Sequence, residues 1–109
     1  MSKRLPEVLV EDILTSAKKI INYTQGLTFE EFVEDEKTID AVIRNFEIIG
    51  EAANRLPEEV KDLYSAIDWH RLRGFRNRIV HDYMGIDYAI VWNIKEQFLP
   101  ELIANIGQN

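Results

Sequence analysis

Arg76, Asn77 and His81, inside the run RNRIVHDY, carry most of the chemistry this chain can offer. A guanidinium holds phosphate through forked hydrogen bonds. An amide fixes an imidazole tautomer or orients a bound phosphate, and an imidazole titrating near 6.5 moves protons at neutral pH. A basic group, an amide and an imidazole suffice for general acid–base cleavage of RNA without a metal.

Each of these residues also has a plainer role open to it. On a helical wheel at about 100° per residue, Trp69, Leu72, Phe75, Ile79, Val80 and Tyr83 form an apolar arc, and Arg76 falls within it. An unpaired guanidinium there would carry a large desolvation cost, so Arg76 needs an anion. That anion is either a phosphate in a groove or a carboxylate of the chain, with Glu47 and Glu51 offered from one face of the third helix. His81 is either a hydrogen-bonded packing residue at the edge of the apolar face or an acid–base group within reach of Asn77 at i and i+4. His70, Arg73, Asn77 and His81 together form a polar stripe beside the core, suited to lining a groove, while Arg71, Arg78 and Asp82 point the opposite way.

The elements that position these residues read as helices throughout. Leu9, Ile13, Ala17 and Ile20 mark a first helix over Pro6 to Gln25, with Gly26 as its stop. Thr28 and Glu31 fit a capping box opening a short helix, and Asp35 caps a longer third one carrying Ile39, Val42, Ile43, Phe46, Ile49 and Ala53. Pro57 ends it and is expected in the first turn of a short helix through Leu63. Asp68 caps a helix predicted from Trp69 to about Tyr83; Gly85 and Asp87 separate it from a last helix carrying Ile90, Ile94, Phe98, Leu102 and Ile106. Pro100 is expected to kink or divide that helix. No segment alternates convincingly enough for a strand, so the expectation is one all-α domain over residues 1–109, a helical bundle with apolar surface left for self-association.

Composition bounds the function. At 109 residues the chain suits a single core, and 46% hydrophobic with 29% charged residues is a globular balance. No apolar run suits a bilayer span, and the start MSKRLPEVLVEDIL does not read as a secretory signal, so a cytoplasmic protein without membrane partners is expected. Without cysteine, and with two histidines, the chain makes a poor metal cage; no metal and no cofactor are expected. A net charge of −6 argues against indiscriminate binding to a polyanion. Yet WHRLRGFRNRIVH carries Arg71, Arg73, Arg76 and Arg78 with no acidic residue among them: a solvated cationic face or a focused anion site.

This sequence resembles the HEPN superfamily and, within it, the HepT-like toxins. RNRIVHDY matches the RxxxxHxY signature through Arg76, His81 and Tyr83, and Asn77 matches the polar residue that commonly follows the arginine. FEIIGEAANRLP, from Phe46 to Pro57, is similar to the long-helix segment of those proteins, DWHRLRGFRNRIVHDYMGID to their central block, and the last helix carries a typical LPEL. The resemblance implies an antiparallel helical bundle forming a two-fold homodimer, with two copies of the motif lining one cleft. It also implies metal-independent endoribonuclease activity on RNA and an antitoxin partner, a minimal nucleotidyltransferase of the MNT type, which transfers AMP to Tyr83.

The expected reaction is transesterification. His81 activates the RNA 2′-hydroxyl, Arg76 stabilises charge on the non-bridging oxygens and Asn77 positions phosphate or imidazole, with His70 and Arg73 as secondary RNA contacts. Two alternatives stand beside it. One is a non-catalytic module that binds a nucleotide or serves a nucleotidyltransferase as accessory subunit. The other is a structural helical dimer whose arginines make ion pairs.

Overall fold

Local side-chain bonds set where four of the described helices start. In the computed structural model, which describes residues 5–81 and 85–107, with the backbone alone at His81, α1 spans Pro6–Thr24 with Pro6 in its first turn. Gly26, at φ 81°, turns the chain after it. The capping box is present: Glu31 N–H donates to Thr28 Oγ1 (3.1 Å) and Thr28 N–H to Glu31 Oε1 (2.8 Å), opening α2 at Phe29–Val33. Asp35 caps α3, Glu36–Arg55, by accepting from the Thr38 N–H at 3.1 Å and the Thr38 hydroxyl at 2.8 Å. These two bonds stabilise the carboxylate and hold its pKa below the ordinary value. Pro57 caps α4 (Glu58–Asp62), one position before the first turn in which it was expected.

α1 and α3 bury facing stripes, Leu9, Ile13, Ala17 and Ile20 against Ile39, Val42, Phe46, Ile49 and Ala53, and form the centre of the core. Each large side chain removed from water there contributes about 1.5–3 kcal/mol.

Of the segment expected as one helix from Trp69 to about Tyr83, the described part, residues 69–81, is three elements. α5 covers Trp69–Arg73, with Asp68 accepting from the Arg71 N–H as its cap, and α6 covers Phe75–Ile79. Gly74 (φ −89°, ψ 0°) joins them, its N–H shared between the His70 and Arg71 carbonyls, both at 3.2 Å. Val80 then leaves the helix at φ −106°, ψ 117°. It opens β1 (Val80–His81), which pairs antiparallel with β2 (Gly85–Ile86), Val80 opposite Ile86 and His81 opposite Gly85. Gly85 adopts φ 80°, and Asp87 N–H donates to the Ile79 carbonyl at 2.7 Å, satisfying an orphan acceptor at the end of α6. β-branched Val80 and Ile86 suit this antiparallel pair, and the pairing of β1 with β2 replaces the helical bonds that the apolar spacing alone suggested.

Asp87 caps α7 (Tyr88–Asn93), accepting from the Ile90 N–H at 3.1 Å. The expected interruption at Pro100 takes the form of a π-helical turn, Ile94–Phe98, followed by α8 at Leu99–Gly107. Leu99 N–H donates to the Ile94 carbonyl, five residues back, which gives the chain room for a proline that lacks the next donor. Among the described residues no helix is long and apolar enough to cross a membrane.

Candidate active site

Phe75, on α6, is fully buried and lies between two rings. Its centroid is 5.3 Å from that of Phe46 on α3 and 5.4 Å from that of Phe98 in the π turn, both contacts edge to face. Such pairs contribute about 0.5–1.5 kcal/mol each beyond their buried area. One turn further along α3, a Cβ built on Gly50 would stand 3.5 Å from the Leu72 carbonyl oxygen, so the end of α5 lies in van der Waals contact with the long helix. These contacts fix α5 and α6 against α3.

Between them runs a groove of about 510 Å³, lined by Arg44, Glu47, Gly50, Glu51 and Asn54 from α3 and by Arg73, Arg76 and Asn77 from α5 and α6. Three of the residues singled out by the sequence therefore share one concavity. Its lining holds three guanidiniums and two carboxylates, a local excess of positive charge on an acidic chain. A narrow cationic site of this kind draws phosphate without making the whole surface adhesive.

Arg76 is not within an apolar arc. Its side chain is 61% exposed, and its Nε donates to Glu47 Oε2 at 3.3 Å; Glu47 is 38% exposed. The difference follows from the fold. Val80 lies outside α6 in β1, so α6 buries Phe75 and Ile79 alone, and Arg76 sits at the flank of that narrower face. Of the two carboxylates that the sequence offered it, Glu47 is the partner. An exposed pair contributes about 0–1 kcal/mol to stability, so the fold does not depend on it.

Arg73 and Asn77, one turn apart, continue the groove wall, whereas His70 is exposed on α5 and is not part of the lining. Among the described residues Arg73 makes no ion pair. Because Val80 and His81 are extended, the i and i+4 argument for contact between Asn77 and His81 does not apply; β1 follows α6 directly and carries the His81 backbone opposite Gly85. The His81 side chain and Tyr83 lie outside the described residues. Arg44, Gly50 and Asn54 were missed by sequence reasoning. The signal was available: Arg44, Glu47, Glu51 and Asn54 recur at steps of three, four and three, a polar stripe along α3. Among the described residues no group of histidine, aspartate and glutamate side chains is placed to hold a metal ion.

Comparison with known proteins places the chain in a family. Residues 13–108 match the family model described as "Ribonuclease HepT-like". The chain is 40% identical over 99% of its length to "Putative RNase MJ0127" of Methanocaldococcus jannaschii, covering 89% of that protein. It is 35% identical to "Putative RNase TTE0752" of Caldanaerobacter subterraneus, over 91% of this chain and 88% of the relative. It is also 36% identical to "Probable ribonuclease HepT" of Thermococcus cleftensis, over 92% and 91% of the two chains. No solved structure matches it. The match over nearly the whole chain, together with the helical bundle, shows that the protein belongs to the HepT-like ribonuclease family of the HEPN superfamily.

Proposed function

We propose that this protein is a metal-independent endoribonuclease acting as the toxin of a type VII-like toxin–antitoxin pair in the cytoplasm. The observation that carries the reading is the convergence of Arg73, Arg76 and Asn77 on one groove, with the strand bearing His81 following α6 without a break. RNA lies with a phosphate against Arg76 and Asn77, and Arg73 holds a neighbouring phosphate. His81 removes the proton of the 2′-hydroxyl, whose oxygen forms a bond to phosphorus as the bond to the 5′-oxygen breaks. The products are a 2′,3′-cyclic phosphate and a 5′-hydroxyl, the leaving oxygen taking a proton from an acid. Arg76 stabilises the charge that builds on the non-bridging oxygens.

Each chain supplies one His81, whereas the reaction uses both a base and an acid. We therefore assign the acid to His81 of the partner subunit in a two-fold dimer whose cleft joins two grooves. The antitoxin is an MNT-type nucleotidyltransferase. It joins AMP from ATP to the Tyr83 phenol oxygen, with loss of the phenol proton and departure of pyrophosphate. The added phosphate then competes with RNA for the arginine groove.

Purified protein incubated with total RNA in excess chelator tests this reading. Wild type is expected to cleave, folded His81→Ala to be inactive, and mixed dimers carrying one His81→Ala chain to lose nearly all activity. Cleavage by His81→Ala at the wild-type rate contradicts the catalytic assignment, and half activity in mixed dimers contradicts the composite site.

A further inference from the structure

The groove wall opposite Arg76 is not inert. Glu47 meets the guanidinium at Nε, at 3.3 Å, and among the described residues this is the one hydrogen bond the Arg76 side chain makes. A guanidinium has two forked edges, one through Nε and a terminal nitrogen, the other through both terminal nitrogens. With Nε engaged, the fork left for a phosphate is the terminal one.

We propose that Glu47 is a positioning residue for Arg76. It grips the Nε side, fixes the plane of the guanidinium and turns the two terminal nitrogens toward the groove, where they take the scissile phosphate as a bidentate pair. The inference rests on the ribonuclease reading above and adds to it the residue that orients the phosphate-binding arginine.

The contact is held in register from below. Phe46 and Phe75, the residues preceding Glu47 and Arg76, are buried with their rings 5.3 Å apart at 85°, so the core contact brings the following pair together at the surface. Glu47 and Arg76 also both line the groove, which places the ion pair in its wall. Glu51, one turn further along α3, lines the groove as well, but the carboxylate within 3.3 Å of Arg76 is that of Glu47.

A counter-ion that merely occupied Arg76 until RNA displaced it would behave differently. Removing such a competitor would lower KM and leave kcat intact. Removing a positioning residue leaves the arginine free to sample orientations, and misplacement of a group that stabilises the transition state falls on kcat.

The experiment has two arms. In the first, kcat and KM for RNA cleavage are measured for Glu47→Ala and Glu47→Gln, with circular dichroism as the check on folding. Glu47→Ala is expected to lose on the order of tenfold or more in kcat with KM unchanged or lower, and Glu47→Gln, which keeps an oxygen able to accept from Nε, to recover most of that loss. Unchanged kcat in Glu47→Ala, with or without a lower KM, overturns the proposal. In the second arm, the arginine side-chain nitrogen signals of the wild-type protein are followed by NMR as inorganic phosphate is added. The terminal nitrogens of Arg76 are expected to shift while Nε stays in place; a phosphate that moves Nε has replaced Glu47 and overturns the proposal. This arm decides even if wild type fails to cleave RNA, an outcome that would sink the ribonuclease reading alone.

Discussion

Phe46 and Phe75 meet edge to face with ring centroids 5.3 Å apart, and the residues that follow them, Glu47 and Arg76, meet across the groove at 3.3 Å. Core and site are thus two layers of one contact between α3 and α6. The buried rings set the distance between helices, and the polar pair above them inherits it.

Substituting Phe75 should therefore be felt in both layers. Phe75→Leu gives up edge-to-face contacts with Phe46 and Phe98, and a loss of about 1–3 kcal/mol is expected from two such pairs. Urea unfolding measures it, with an unchanged slope showing that the unfolded state is the same. Activity should fall in the folded variant as Arg76 loses its register. A loss below about 0.5 kcal/mol, the range of an ordinary surface change, would show that the rings do not hold the helices.

The cap of α3 gives a pH dependence whose sign is fixed. Bonds from Thr38 hold the Asp35 carboxyl below its ordinary value in the folded chain. A depressed pKa contributes stability that is complete above the unfolded value, about 3.9, and is lost as pH falls through the lower folded value. Asp35→Asn, which can still cap, should unfold with a shallower dependence on pH below about 4. Melting temperatures taken through that range check this, and equal dependence in both proteins would remove Asp35 from the account.

Arg73 lines the groove and His70 does not, so their removal should differ. Arg73→Ala is expected to weaken binding of a non-cleavable 2′-deoxy oligonucleotide and to reduce the slope of log affinity against log salt by about 0.7, one phosphate contact on a single strand. His70→Ala should cost less. A salt slope unchanged in Arg73→Ala would mean that the groove is not where the backbone runs.

The proposed silencing by an MNT-type antitoxin has a direct chemical readout. Co-expression with an active cognate MNT-type transferase should add AMP-sized mass increments to the peptide containing Tyr83, and an active Tyr83→Phe variant should escape neutralisation. Neutralised wild-type protein with Tyr83 unmodified would instead point to inhibition by binding.

The parts of this structure legible in the sequence are those held by local bonds. Thr28 with Glu31, and Asp35, Asp68 and Asp87, cap the helices they were expected to cap because a side chain and a backbone N–H three residues on determine the outcome between them. Pro100 divides the last helix for an equally local reason, although the π turn that accommodates it was not foreseen. The described region from Trp69 to His81 was misread because Leu72, Phe75, Ile79 and Val80 keep helical spacing. The chain leaves the helix at Val80 for a strand whose partner, Gly85–Ile86, comes later in the sequence. Arg73, Arg76 and Asn77 were recognised as candidates, yet the groove they share needs α3, and the choice of Glu47 over Glu51 is made by ring packing that spacing does not encode.

Identification of the RNA ends tests the central claim most directly. A defined RNA cleaved by the protein in excess chelator is analysed by mass spectrometry, beside the same RNA with a single 2′-deoxy nucleotide at the scissile position and beside a folded Arg76→Ala variant. The account predicts a 2′,3′-cyclic phosphate and a 5′-hydroxyl, no cleavage at the 2′-deoxy site, and a loss of several hundredfold or more in Arg76→Ala, on the order of removing an oxyanion-stabilising group. Cleavage at the 2′-deoxy site, or products ending in a 5′-phosphate and a free 3′-hydroxyl, would contradict it.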